Sequence, residues 1–541
     1  MTVDHVPAGH GVPLRGLEVT PSSSTTTGRF GRMFRSVPVF EPKPESLAAL
    51  GGAMIQGLED GTMDKPLDQE DSDENIALLD GELRLPAGYT YFGQFVDHDI
   101  TFDPVSSLSR QSDPDALTDF RTPRFDLDSL YGRGPSDQPY LYDADGLHLT
   151  LGEPVDTNPS TAGPDLVRTS GTHRAVIGDP RNDENLIVSQ LQVVFLRFHN
   201  AVVDRLMADQ PGLAHAELLS TAQRTVRWHY QWVVIHDFLV RLVGHEVLED
   251  LLSSELYPVS SEPAGQEQIL RTHRRFFRWQ HQPFMPVEFS VAAYRFGHSM
   301  ARPSYLINDS IPMPVASPVA SRIPFFSQTG GPLQSLNGFR TLPRGWGVQW
   351  KYLLPHIVEP AGPNDAHLPQ PSYKLDAQLA NPLGALPDRI AEAEELVPGF
   401  PPTIAQILAT RNLLRGLRLR VPAGQDVARA MGITPLRDER LFAGLNLATA
   451  VLDDLAGHAP LWFYILKEAE VLTGSAHLGP VGGRIVAEVL IGLLDGDPLS
   501  YLSVDPTWFP TLPARVEGHF TLSDIVNFAR PGLGDAGADD A

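Results

Sequence analysis

Between Asp179-Pro180 and Pro211-Gly212 runs a stretch in which Ile187, Leu191, Val194, Phe198 and Val202 recur at helical spacing. Asp179 suits the N-cap and Pro180 the first helical position, so the sequence predicts a helix over 180–209. Such an apolar stripe has to be buried against other helices. The same reading predicts helices over 89–102, stopped by Asp103-Pro104, and over 215–252 as one or two segments. Further helices are expected over 287–301, 403–419 and 438–495. Strand signals are sparse, so the fold class is mainly α with few short strands. With 48 prolines and 46 glycines in 541 residues, short elements joined by ordered loops fit better than long bundles. Length alone suggests roughly three or four domains. The unusual polar residues, however, are spread over 300 positions, which points to one large domain over 31–530. Residues 1–30 are expected to be flexible, 57–76 to form an acidic surface loop, and 531–541 to be a disordered acidic tail.

Composition removes several classes of function. The formal net charge of -24 argues against a nucleic-acid partner, which needs a basic face. Cysteine is absent, so there is no disulfide framework, thiolate metal site or cysteine nucleophile. The basic residues are nearly all arginine, which fits a GC-rich bacterial genome. No segment reads as a leader or as a membrane helix. The expectation is a protein without integral membrane association, cytoplasmic or secreted without a recognisable leader.

The chemistry is carried by short polar runs inside apolar segments. In GQFVDHDITF, Gln94, Asp97 and His98 stand at i, i+3 and i+4 and share one helical face. Gly93 would let a flat ligand or a backbone approach that segment. A satisfied polar cluster at a helix end is the other reading. Asp99 points away from that face. In TPRFDLDSLYG, Thr122, Asp126 and Asp128 recur before a turn, and carboxylates brought together there repel unless a cation joins them. Hard oxygen ligands suit Ca²⁺, although the spacing is not that of an EF-hand; a solvated acidic turn is the alternative. In DPRNDE, Arg181 and Glu184 fall in one helical turn, as a local salt bridge or with Arg181 placed to orient an anion. His298 lies in line with Val291 and Tyr294, beside Gly297. Asn412 shares a stripe with Ile404 and Leu408, and a buried Asn demands a partner. One suitable partner is the second ring nitrogen of a metal-bound histidine.

Taken together, LPAGYTYFGQFVDHDITFD, TPRFDLDSLYG, GDPRNDEN, LRFHN, YRFGHSMARP and RNLLRGLRLRVP resemble the animal-type haem peroxidases of the peroxidase–cyclooxygenase superfamily, in a bacterial form. The resemblance runs from about Leu79 to Phe528. It implies one helical domain with haem b between central helices. His98 matches the distal histidine, Arg181 the distal arginine and Gln94 the distal glutamine. His298 matches the proximal iron ligand and Asn412 its hydrogen-bond partner. Asp97 and Glu184 match carboxylates that form ester bonds to haem methyls in mammalian members. Arg295 and Arg415 match arginines near the propionates. Asp99, Thr122, Arg124 through its backbone oxygen, Asp126 and Asp128 match a calcium site, with Asp128 standing where some members carry Ser. Asn185 follows Glu184 where one mammalian member has Met, which removes a sulfonium link at that place. RGLRLR replaces the family's RxRDHG run, and the disulfides of secreted members are missing.

The function this resemblance implies is reduction of hydrogen peroxide with oxidation of halide, thiocyanate or small aromatic donors, in the response to oxidative stress. His98 would move the proton between the peroxide oxygens and Arg181 would stabilise charge on the departing one. Two rivals stand beside it. A fatty-acid dioxygenase of the same superfamily carries a radical-forming Tyr three residues before the proximal His, where this chain has Arg295. Tyr294, one residue earlier on a helix, would be rotated away by roughly 100°. The other rival is a catalytically silent calcium-binding or interaction protein. A non-haem metal site at Asp97–His98–Asp99 is disfavoured, because neighbouring residues on a helix cannot all face one ion.

Overall fold

The computed structural model of the protein describes residues 28–56, 78–79, 82–83, 85–102, 112–154, 163–258, 266–279, 282–310, 322–326, 335–362, 368–386 and 402–530. The segment before Gly28, the acidic stretch 57–76, the Asp103-Pro104 stop and the tail 531–541 lie outside these residues. The chain is mainly α-helical, as its periodicity predicts, with short strands at the margins. Order begins earlier than expected: β1, Gly28–Gly31, pairs antiparallel with Thr118–Asp119 and parallel with Met285–Pro286. Phe30 on it is buried, so residues 28–30 are part of the fold rather than of a flexible leader.

Helix α1, Gly88–Ile100, is the element on which the site is built. Its rear face is aromatic. Phe95 stacks on Phe195 with centroids 4.5 Å apart, and Phe92 meets Phe238 edge-on at 5.3 Å. Tyr230 closes the cluster against Phe95 at 6.2 Å. These partners come from α2, Leu186–Asp209, from α3, His215–Val233, and from the π-helical turn Val234–Leu239 that continues α3. Gly93 serves this face: a Cβ there would lie 2.9 Å from Cζ of Phe238, so the glycine admits a core ring at close range. Phe95→Ala is expected to cost about 3–5 kcal/mol in denaturant unfolding, because the cavity left between the rigid Phe195 and Tyr230 rings cannot collapse.

Helix α2 meets the length and hydropathy of a membrane-crossing segment, but 83% of its apolar window is buried within the fold. Its start differs from the sequence expectation. Asp179 does cap a turn, accepting from the Arg181 amide, but that turn is a separate 3-10 segment, Pro180–Asp183. Asn185 is extended (φ -140°, ψ 158°) and starts α2 with its own side-chain cap on the Val188 amide. The cause is tertiary. Asn185 bridges to Asn337, while Leu186 N donates to Leu336 O and Gly338 N to Glu184 O.

The segment expected as one helix over 287–301 is likewise three pieces, Val287–Ser290, Ala293–Phe296 and Gly297–Met300, interrupted at Ala292 (φ -130°, ψ -78°). Both sides of the break are held from outside. The Glu288 carboxylate takes the amides of Met33 and Phe34, and Trp462 Nε1 donates to Arg295 O at 3.1 Å. Helix α4, Leu408–Arg418, follows a 3-10 turn, so Ile404 stands on a different element from Asn412. Two further helices, α5 (Leu461–Thr473) and α6 (Pro480–Gly496), complete the packing behind His298. After Leu251 the chain forms a hairpin, Leu252–Pro258 with Gln266–Thr272, that periodicity did not reveal.

Candidate active site

Two adjoining cavities lie between α1 and the broken segment 287–300. One spans about 950 Å³ and the other about 1090 Å³, counting the open solvent at their mouths. Asp97, His98, Glu184, Arg295 and His298 line both. Gln94, Tyr294 and Gly297 belong to the first, while Arg181, Asn412 and Arg415 belong to the second. The residues of four distant sequence runs therefore meet around one space. At Gly297, next to His298, an added Cβ would find nothing within 4 Å, so the missing side chain leaves the cavity open.

His98 is 5% exposed and its ring is oriented by residues that sequence reasoning passed over. Nδ1 lies 2.7 Å from Asn182 Oδ1, and Asn182 Nδ2 donates to Gln192 Oε1 at 2.8 Å. Gln192 Nε2 in turn donates to Ser129 O at 3.1 Å. This chain fixes which end of the Asn182 amide faces the ring. Nδ1 must then carry the proton, which leaves Nε2 with its lone pair. Burial, with the Arg181 charge adding to it, lowers the imidazole pKa to about 4. The ring is thus neutral at ordinary pH. The i, i+3 pattern of small polar residues in DPRND was the only available signal for Asn182.

Arg181 does not pair with Glu184. Its Nη2 donates to Asp179 at 2.7 Å and to the carbonyls of His98 and Thr101 at 2.9 and 2.6 Å. The guanidinium stacks 4.7 Å from the centroid of Phe102. It is pinned at the cavity edge beside the histidine. Gln94 donates to Glu184 and accepts from Asn185 Nδ2 at 3.1 Å, so its amide too has a set direction. Burial raises the Glu184 pKa to about 7.

On the opposite wall, His298 Nδ1 lies 2.7 Å from the Asn412 carboxamide. Burial, then the Arg295 charge, lowers the His298 pKa to about 3, so this ring is neutral as well. A neutral imidazole is the form that binds a metal. Arg295, Arg415 and the unanticipated Arg411 place positive charge along the same cavity, which suits an anionic rim such as a pair of carboxylates. The break at Ala292 also alters the place of Tyr294: it lines the first cavity together with Arg295, contrary to the rotation expected on a continuous helix.

Below α1, Asp99, Asp126 and Asp128 bring one carboxylate oxygen each within 4.8 Å of one another. Both oxygens of Asp99 and one each of Asp126 and Asp128 are buried without a hydrogen-bond partner. Burial holds all three pKa values up, joined by repulsion from Asp126 at Asp99 and Asp128 and from Asp497 at Asp126. Thr122 Oγ1 donates to Asp126 at 2.5 Å, and Arg121 offsets part of the charge at Asp128 at 3.1 Å.

The profile of the animal haem peroxidase family matches residues 109–361. That span takes in Thr122–Asp128, Arg181, Glu184 and His298. The helix of His98 precedes it, and Asn412 follows it. The chorion peroxidase of Aedes aegypti is 25% identical over 360 residues, which are 66% of this chain and 38% of that protein. The chain spans well under half the length of the curated relatives it matches. Peroxidase A from Dictyostelium discoideum superposes with a TM-score of 0.55 at 13% identity, covering 96% of both chains. A fatty acid alpha-dioxygenase of Arabidopsis thaliana gives 0.51 at 16% identity, over 94% of this chain and 79% of that one. These two likenesses concern the fold. Over residues 109–361 the chain is similar to the animal haem peroxidase family, a similarity that implies haem binding.

Proposed function

We propose that the protein is a haem-dependent peroxidase that reduces hydrogen peroxide and oxidises halide, thiocyanate or small aromatic donors. The observation that carries this reading is the pairing of His98, its Nε2 lone pair available, with His298 on the walls of the same two cavities. His298 would ligate iron through Nε2. Asn412 Nδ2 faces the His298 Nδ1; a half-turn of the carboxamide would let Oδ1 accept from Nδ1–H and give the ligand anionic character. Arg295, Arg411 and Arg415 would hold the propionates. Bound haem supplies the iron that takes up peroxide and accepts its oxidising equivalents.

His98 takes the proton from the nearer peroxide oxygen at Nε2 and returns it to the leaving one. Arg181, held rigid by Asp179 and two carbonyls, stabilises the charge that develops on the departing oxygen. Gln94 lines the first cavity with its amide held by Glu184 and Asn185. Haem-loaded protein should oxidise iodide or a phenol when peroxide is added. Haem binding with no turnover of either donor would reject the reading.

Asp97 and Glu184 line both cavities, which supports the reading that each would form an ester with a haem methyl. Each ester replaces one methyl hydrogen by carboxylate oxygen, with peroxide taking the two electrons and leaving as water. After peroxide treatment, acidified organic solvent should no longer extract the haem. In Asp97→Ala with Glu184→Ala it should extract all of it.

The cluster of Asp99, Asp126 and Asp128, with Thr122 and the backbone oxygen of Arg124, is proposed to hold Ca²⁺. Four unpartnered buried carboxylate oxygens support a hard cation there.

One observation favours a second reading. Tyr294 lines the first cavity with a buried hydroxyl that has no hydrogen-bond partner. A tyrosyl-based fatty-acid dioxygenase would show oxygen uptake with a long-chain fatty acid, and Tyr294→Phe would abolish it.

A further inference from the structure

Tyr89 stands five residues before Gln94 on α1 and lines the first cavity, yet none of the roles above uses it. It is 1% exposed, and its hydroxyl donates to Asp237 Oδ2 at 2.7 Å. Asp237 lies in the π-helical turn Val234–Leu239, a distortion of a kind frequent at functional sites. Its Oδ1 accepts from Arg241 Nε at 2.8 Å, and Oδ2 also takes the Leu522 amide at 2.9 Å. The Arg241 guanidinium sits 4.8 Å from the Tyr89 ring centroid.

Tyr89 also lines a second, smaller pocket, shared with Arg241, Pro355, His356, Arg515 and Val516. Among these, His356, Arg515 and Val516 are exposed, so this pocket opens at the surface. Asp524 lies in its wall, but its oxygens are taken up by the amides of Arg515 and Thr521 and by the Thr521 hydroxyl. Tyr89 is therefore the residue common to the haem cavity and to a solvent-facing pocket with two arginines.

We propose that Tyr89 relays single electrons, so that a phenolic carboxylate seated in the outer pocket is oxidised without entering the haem cavity. The relay rests on the peroxidase reading above. Tyr89 would give one electron to haem that peroxide had oxidised, and its phenolic proton would pass to Asp237 along the existing hydrogen bond. A neutral tyrosyl radical remains. The donor in the outer pocket returns one electron to Tyr89, and Asp237 returns the proton. The donor's own phenolic proton leaves to solvent, and two donors are consumed per peroxide.

Burial and the Asp237 charge keep the Tyr89 phenol protonated in the resting state, so its oxidation needs an adjacent base to accept the proton. Asp237 is that base, and Arg241 balances its charge. In the outer pocket, Pro355 and Val516 offer apolar surface to a ring. Arg515 and Arg241 offer donors to a carboxylate, an attraction of local origin on a chain of net charge -24.

The test compares haem-loaded wild type with Tyr89→Phe and Arg515→Ala, using 4-hydroxycinnamate and iodide as donors. Freeze-quenched electron paramagnetic resonance after peroxide should show a tyrosyl signal in wild type that Tyr89→Phe lacks. In Tyr89→Phe, hydroxycinnamate oxidation should fall about tenfold or more with iodide oxidation unchanged. Calorimetry without peroxide should show Arg515→Ala binding hydroxycinnamate about tenfold more weakly. Retention of the radical signal in Tyr89→Phe overturns the relay, as does equal loss of both donors. Unchanged hydroxycinnamate binding in Arg515→Ala overturns the assignment of the outer pocket. If wild type with bound haem oxidises neither donor, the peroxidase reading itself fails, an outcome distinct from these.

Discussion

Replacing His98 by alanine is expected to slow the reaction of the haem-loaded protein with peroxide by about 10²–10⁴-fold, the usual range for a positioned acid–base group. Stopped-flow spectroscopy of the haem band measures this step directly. The donor-binding terms should change little, because the loss falls on proton transfer between the two peroxide oxygens. The pH dependence is the sharper part. The base form of His98 is the neutral ring, and burial beside Arg181 lowers its pKa to about 4. The rate should therefore hold steady from about pH 8 down through the reference histidine value of about 6.5. It should decline only as the medium approaches the lowered value, where the ring takes up a proton and Nε2 is lost as an acceptor. A midpoint near 6.5 would mean that the ring is solvated, or that a different group serves as the base.

The second large effect concerns the acidic cluster below α1. Calcium at about 100 times its dissociation constant should stabilise the fold by about 2.7 kcal/mol, since it binds the native arrangement and not the unfolded chain. Differential scanning calorimetry with calcium against a chelator measures it, and Asp126→Ala should abolish the response. Without the cation, burial raises Asp126 to about 6 and Asp128 to about 7. Between the unfolded carboxylate value of about 4 and these values the native state binds more protons than the unfolded one. Stability of the calcium-free protein should then fall as pH rises through that window. The stabilisation on adding calcium should grow from about pH 5 to pH 8, with protons released on binding. The effect reaches the active site by a short path. Asp99 adjoins His98 in α1, and Ser129, next to Asp128, accepts from the Gln192 that orients Asn182. Loss of calcium should thus loosen the His98 ring before the fold itself melts.

Helical periodicity and residue type were enough to predict a mainly α fold, the helix that carries Gln94, Asp97 and His98, and the separation of Asp99 from their face. These are local properties: spacing along a helix decides which side chains share a side, and a proline or a cap decides where a turn begins. The same locality explains the errors. The 180–209 and 287–301 segments read as continuous helices because nothing within them breaks the pattern. The breaks at Asn185 and Ala292 are imposed by Asn337, Met33, Phe34 and Trp462, which are distant in the chain. Those breaks turn Glu184, Tyr294 and Arg295 into the cavity. Gly93 could be recognised as a point of close approach, but only the packing shows that the Phe238 ring makes it. Asn182 and Gln192 are unremarkable polar residues in the sequence. Their work in fixing the His98 tautomer depends on the angle at which a 3-10 turn meets two helices. Residue chemistry and spacing along an element belong to the sequence, whereas the direction in which each group points across the cavity is decided by contacts between elements, and only the tertiary structure contains those.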